Sequence, residues 1–212
     1  MARKIVFAEG EMYHIFNRGV DKRNIFDDKY DFERFFQSMK EFNVIEPIGS
    51  IYENRFNKDK HQLGRGASKL VEFVCYCLNP NHFHFILEQV SERGIEKLMH
   101  RFSGYAKYYN NRNKRSGVLF QGPFKAVLIE SNEQLLHTSV YVNLNDQVHR
   151  LGRGVSKSSW GEYAGMSKKQ ICKKDIILGQ FKNFKEYEEF SKSSLEFIKE
   201  NKEQAKFLLE EI

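Results

Sequence analysis

The chain has 212 residues, a formal net charge of +6, a pI near 9.1 and 41% hydrophobic residues. That length carries one domain with a sizeable core, and no apolar run approaches the roughly 20 residues that span a bilayer. Cys75, Cys77 and Cys172 are too few for a disulfide framework, and Glu9 arrives before any leader-like apolar segment, so a cytoplasmic protein is expected.

Taken in order, Glu11 to Asn17 reads as a first strand, closed by Arg18-Gly19 and a polar turn through Asn24. From Asp28 to about Asn43, Phe32, Phe35, Phe36, Met39 and Phe42 recur at helical spacing behind early acidic residues, which predicts an amphipathic helix packed on a sheet. Ser50 to Phe56 is expected as a second strand, Leu70 to Leu78 as a third, and His82 to Gln89 as a fourth, hairpin-paired to the third. A helix capped by Ser91 is expected to run, with a break near Gly104, to about Asn113. Gly117 to Glu130 reads as loop plus strand. Ser131 or Asn132 then starts a helix with Leu135, Leu136, Val140 and Leu144 on its apolar side. Strand, helix, strands, helix, strand and helix make an α+β pattern with an antiparallel sheet. Sequence beyond Asn145 turns Gly- and Ser-rich, and from Asn183 Phe184, Tyr187, Phe190, Leu195, Ile198 and Phe207 predict one or two mostly exposed tail helices, either folded back on the body or pairing with a partner. The expected division is a catalytic domain at 1–146, an irregular connector at 147–182 and a helical tail at 183–212.

His82-Phe83-His84 carries the chemistry. Alternation puts both imidazoles on one face of the strand and Phe83, Phe85 and Leu87 on the other, so the pair is either half of a metal site or the solvated face of an antiparallel strand. A third ligand and a nucleophile can come from the helix after Asn132, where His137, Tyr141 and Asn145 recur every four residues and share a face. Tyr141 offers a phenol that can attack phosphorus, and Asn145 offers a carbonyl oxygen one turn on; the bland reading of Tyr141 is a tyrosine tucked against the sheet. Cys75 and Cys77 with His82 and His84 form an alternative zinc reading. It requires Asn79-Pro80 to be a two-residue turn that sets Cys77 opposite His82 and Cys75 opposite His84.

Between Lys97 and Lys125 the charged residues are all basic, namely Lys97, Arg101, Lys107, Arg112, Lys114, Arg115 and Lys125, interleaved with Tyr105, Tyr108, Tyr109, Phe120 and Phe124. Cations that neutralise phosphates beside rings that stack on unpaired bases suit single-stranded nucleic acid, although the rings equally suit a helix core stripe. With Arg18, these basic residues are the candidate DNA contacts. His61 to Lys69 and His149 to Lys157 are near-identical nine-residue segments built on Leu-Gly-Arg-Gly. Without matching surroundings they read as translated copies of a mobile DNA repeat lodged in surface loops, whose deletion leaves folding and cleavage intact. The other reading makes them phosphate-gripping loops.

Four ordered stretches carry a family resemblance: Tyr13-His14-Ile15-Phe16-Asn17-Arg18-Gly19, Cys77-Leu78-Asn79-Pro80-Asn81-His82-Phe83-His84, Leu119-Phe120-Gln121-Gly122-Pro123-Phe124-Lys125-Ala126 and Tyr141-Val142-Asn143-Leu144-Asn145. Together they resemble the single-tyrosine HUH transposases, in the branch of REP-associated tyrosine transposases. The resemblance implies a ferredoxin-like antiparallel sheet with helices on one face and a C-terminal helical extension. It also implies a Mg²⁺- or Mn²⁺-dependent enzyme of the nucleoid that cuts and rejoins single-stranded DNA beside REP-like hairpins through a 5′-phosphotyrosine. His82 and His84 fall on the metal-ligand histidines, Tyr141 on the nucleophile and Asn145 on the polar ligand. The chain reads Tyr-Val-Asn-Leu-Asn-Asp where members often have Tyr-Ile-His-x-Asn-Pro. A monomer and a homodimer that exchanges the Tyr141 helix both fit, and the competing function is a non-catalytic regulator of the same fold that binds DNA or RNA hairpins.

Overall fold

A computed structural model describes residues 5–54, 56, 68–152, 155–168 and 170–200. Its centre is a five-stranded sheet of order β4-β1-β3-β2-β5: β1 Met12–Arg18, β2 Val71–Asn79, β3 His82–Gln89, β4 Lys125–Leu128 and β5 Lys157–Ser158. Every pairing within it is antiparallel. With helices between β1 and β2 and between β3 and β4, the first four strands have the β-α-β-β-α-β order of a ferredoxin-like unit.

The alternation in β3 sets the two cores. Phe83, Phe85 and Leu87 enter one apolar cluster with Tyr13, Ile15, Phe35 and Tyr105. Ile86 points the other way, into a cluster with Val74, Val140 and Tyr141. Helices therefore cover both faces, beyond the one-sided layering expected from the sequence. On the first face lies α1 Lys29–Glu41, whose cap Asp28 accepts hydrogen bonds from the Tyr30 and Asp31 amides. Its Phe35 ring packs against Phe26, Phe83, Phe102 and Tyr105 at centroid separations of 5.0, 5.4, 4.7 and 4.8 Å. The same face carries α2 Gly94–Arg101 and α3 Ser103–Arg112, separated at Phe102. The opposite face holds α4 Asn132–Asn143 and α5 Phe184–Glu200. Ser131 caps α4 through the Gln134 amide, as its sequence predicts.

Two local expectations are corrected. Ser50 to Phe56 is a helical turn at Ile51–Asn54, not a strand. Ser50 Oγ accepts from the Glu53 amide and Glu53 Oε2 accepts from the Ser50 amide, a reciprocal capping box that outweighs β propensity, with Ile51 and Asn54 buried on one side. Ser91 does not cap α2. Its hydroxyl donates to the Leu70 carbonyl, and Arg93, in a left-handed conformation with φ 54°, precedes the helix. Gly94 is required there, because a Cβ would sit 2.0 Å from the Leu70 oxygen.

The tail folds back on the body. Tyr187 of α5 is fully buried, its hydroxyl 3.1 Å from Ser139 Oγ and 3.2 Å from Asn143 Nδ2, and Trp160 packs on its ring. Phe207 lies outside the described residues. Among the described residues no helix is long and apolar enough to cross a membrane.

Candidate active site

β3 and β2 join through Pro80-Asn81, with Asn79 opposite His82, Cys77 opposite His84 and Cys75 opposite Ile86. That register is two residues away from the one the zinc reading needs. Burial also pushes both thiols well above their ordinary value, which disfavours the thiolates a zinc site needs. Among the described residues no group of three or more His, Cys, Asp and Glu side chains is arranged to hold a metal ion.

His82 and His84 do share a face, with ring centroids 5.1 Å apart and planes at 88°. β1 lies beside them and pairs Phe16 with His84 and Arg18 with His82. Through it comes a third imidazole: His14 Nε2 is 3.0 Å from His84 Nδ1, and the rings stack at 5.3 Å. From the other side, Tyr141 near the C-terminal end of α4 stands edge-on to His84 at 5.5 Å and to His14 at 5.9 Å. Asn145, in the helical turn Asn145–Val148 that follows, brings Oδ1 to 3.1 Å from His82 Nε2. The structure thus gathers His82, His84, Tyr141 and Asn145. His137 goes elsewhere, held by Ser194 Oγ at 2.7 Å and by the rings of Phe190 and Phe197.

The electrostatics favour lone pairs over protons. Burial lowers His82 from 6.5 to about 4, outweighing the opposing hydrogen bond to Asn145, and drives His84 well below its ordinary value with the neighbouring imidazoles adding to the effect. Both rings are neutral at pH 7, as metal ligation demands. Asn81 donates through Nδ2 to the Lys22 carbonyl, so its Oδ1, 2.7 Å from His82 Nδ1, accepts a hydrogen bond from that N–H. His82 Nε2 then carries a lone pair, which accepts from Asn79 Nδ2 at 2.7 Å beside Asn145 Oδ1 at 3.1 Å. The Asn145 carboxamide is fully buried, and its Nδ2 has no hydrogen-bond partner. Two imidazole nitrogens and a carboxamide oxygen make a donor set that fits a divalent cation, with Asn145 replacing the third ionisable ligand that is absent.

The histidines open on a cleft of about 360 Å³ lined by Phe16, Asn17, Arg18, Lys22, Asn81, His82, His84, Gln121, Lys125 and His149. Arg18 Nε donates to Gln121 Oε1, and Lys125 Nζ lies 5.9 Å from the Phe16 ring centre. Tyr141 is 5% exposed and does not line this cleft.

The remaining candidate DNA contacts divide. Lys97, Lys107 and Lys114 are exposed, and Lys107 and Arg115 border a second groove of about 960 Å³ with Met99, Phe102, Phe120, Pro123 and Phe124. Arg115 also donates to Asn110 Oδ1 and the Val118 carbonyl, shaping its own loop. Arg101, half-buried, and Arg112, exposed, also have partners within the fold. The Arg101 guanidinium donates to the carbonyls of Phe42, Val44 and Ile45, and Arg112 pairs with Asp28 and with Asp31, which is fully buried. The Asp28 carboxyl falls to about 2, chiefly through its bond to Arg112.

Sequence reasoning missed His14, Asn79, Lys22 and His149. His14 was legible in principle, because it alternates with Ile15 on a strand and so belongs to the histidine face. His149 was not, since its ring reaches His82 at 5.3 Å only through the turn after Asn145. It begins the second Leu-Gly-Arg-Gly segment, whose described end is joined to the sheet. Ser156 Oγ donates to Asn79 Oδ1 at 2.5 Å, Lys157 and Ser158 pair with Leu78 and Cys77, and Ser159 Oγ donates to Asn143 Oδ1 at 2.5 Å. Most of the first copy, 61–67, lies outside the described residues.

No protein-family model matches the chain, and no curated protein matches it by sequence. Among solved structures, it is similar to a REP-associated tyrosine transposase bound to a REP hairpin, with a TM-score of 0.52 and 13% identity over 81% of this chain and 89% of that one. At that identity the likeness is one of fold.

Proposed function

We propose that the chain is a single-tyrosine HUH endonuclease and strand transferase that cuts and rejoins single-stranded DNA beside a REP-like hairpin. The observation that carries this reading is that the segment after Ser131 sets Asn145 beside His82 and Tyr141 edge-on to His84, while the two histidines open on a cleft edged by Arg18, Lys22 and Lys125. The transposase of like fold is bound to such a hairpin, which supports the substrate class.

His82, His84 and Asn145 would hold a Mg²⁺ or Mn²⁺ ion, whose chemistry is to polarise a phosphate oxygen as a Lewis acid. Arg18, Lys22 and Lys125 place the backbone phosphate by charge, and the neutral imidazoles keep their lone pairs turned inward. The Tyr141 phenolic oxygen attacks phosphorus, the bond from phosphorus to the 3′ oxygen breaks, and that oxygen leaves as a hydroxyl after taking a proton equivalent to the one the phenol gave up. Rejoining reverses these steps, so no nucleotide cofactor is consumed. His14 and His84 hold the phenol ring by edge contacts, which favours one attack direction.

The burial of Tyr141 away from the cleft favours a second reading, a hairpin-binding regulator with the same fold. Incubation of a hairpin-bearing single-stranded oligonucleotide with protein and Mn²⁺ separates them. Nicked product that disappears in His84→Ala supports the enzyme; tight binding with intact DNA at every metal concentration supports the regulator.

A further inference from the structure

We propose that Asn79 is a positioning residue for the site, fixing the tautomer of His82 and the place of the Asn145 carbonyl, and that Ser156 in the second Leu-Gly-Arg-Gly segment fixes Asn79. Asn79 ends β2 opposite His82 and is fully buried. Each of its amide atoms is used. Oδ1 accepts from Ser156 Oγ at 2.5 Å and from Cys77 Sγ at 3.4 Å, while Nδ2 donates to Asn145 Oδ1 at 2.6 Å and to His82 Nε2 at 2.7 Å. Donors on the Oδ1 side turn the NH₂ group toward the site.

The consequence follows from counting lone pairs. His82 Nδ1–H donates a hydrogen bond to Asn81 Oδ1, so Nε2 and Asn145 Oδ1 are two acceptors held 3.1 Å apart. Facing acceptors repel unless a shared donor lies between them, and the Asn79 NH₂ is that donor. Without it, the stable arrangement moves the His82 proton to Nε2, where it donates to Asn145 and closes the lone pair to any other partner. His149, Ser156 and Lys157 supply the anchor, since β5 pairing with Leu78 holds Ser156 over Asn79 and the His149 ring covers His82 at 5.3 Å. That these atoms are metal ligands rests on the proposed function; the tautomer assignment does not.

The test has two arms. In metal-free protein, ring ¹⁵N shifts from labelled histidine should show His82 protonated at Nδ1 with Nε2 bare. Asn79→Asp, which puts an acceptor where the donor stood, should move the proton to Nε2, and Ser156→Ala should mix the two forms. An Nε2–H tautomer in the unaltered chain, or an unchanged tautomer in both variants, would overturn the proposal. In the second arm, Mn²⁺ binding followed by electron paramagnetic resonance should weaken about 10-fold in Ser156→Ala and recover in Ser156→Thr. A lowered melting temperature with unchanged Mn²⁺ affinity would assign Ser156 a merely structural role and refute its part. Failure of the unaltered protein to take up Mn²⁺ would remove the metal reading while the ¹⁵N result still decides the role of Asn79.

Discussion

Removing the Ser159 hydroxyl tests how firmly the segment after the second repeat is built into the site. Ser159 is fully buried; its Oγ accepts from the Tyr76 amide at 2.9 Å and donates to Asn143 Oδ1 at 2.5 Å, and Asn143 continues to the Tyr187 hydroxyl. Ser159→Ala therefore leaves two buried polar groups without this partner, a β2 amide and a carboxamide oxygen, while the volume lost is one oxygen. At about 1–3 kcal/mol for each group left unsatisfied, the variant should lose roughly 2–6 kcal/mol. Urea unfolding at pH 7 reads the loss as a lowered midpoint at constant slope. Adding Asn143→Leu should cost less than the sum of the single changes, because the orphaned acceptor is gone. A midpoint shift worth under about 0.5 kcal/mol in Ser159→Ala would refute the reasoning and return this segment to the status of a surface loop.

Acid should destabilise the metal-free protein through its neutral imidazoles. The unfolded chain takes up a proton at His82 near pH 6.5 while the folded chain waits until about 4, so stability falls as pH drops across that window, by about 2 kcal/mol at pH 5 from His82 alone. Urea midpoints between pH 7 and 5 should show the loss, and His82→Gln should flatten it; equal slopes in both proteins would contradict the assignment. Gly94→Ala drives a Cβ into the Leu70 carbonyl and should cost about 3 kcal/mol, the upper end for overpacking because the neighbour is backbone, measured by thermal or urea unfolding. Lys22→Ala and Lys125→Ala should each reduce the salt dependence of hairpin DNA binding by about one unit of slope with little change in melting temperature. Arg101→Ala should do the reverse, lowering the melting temperature and leaving that slope alone.

Local rules read most of the fold directly. Alternation in β3 separated the histidines from Phe83, Phe85 and Leu87, apolar spacing marked α1, and Ser131 marked the start of α4, because each depends on near neighbours in the chain. Ser50 to Phe56 misled through its β-forming Ile51 and Tyr52, although Ser50 and Glu53 spelled the capping box that decided it. Charge alone did not reveal the partners of Arg101 and Arg112, because Val44, Asp28 and Asp31 are remote in sequence. Asn143 is a buried hydrogen-bonding residue joining Ser159 to Tyr187, which no reading of the Tyr141 segment alone reveals. The same applies to His149 and Ser156: their repeat suggested an insertion, whereas the turn after Asn145 brings His149 to His82 and pairing between β5 and β2 brings Ser156 to Asn79.

The central claim is that Tyr141 is the nucleophile. Mass spectrometry of the protein after incubation with Mn²⁺ and a hairpin-bearing single-stranded oligonucleotide tests it most directly. The expected result is a peptide carrying Tyr141 joined to the 5′ phosphate of the downstream fragment, absent in Tyr141→Phe. An adduct that persists in Tyr141→Phe, or cleaved DNA with no protein adduct at all, would contradict it.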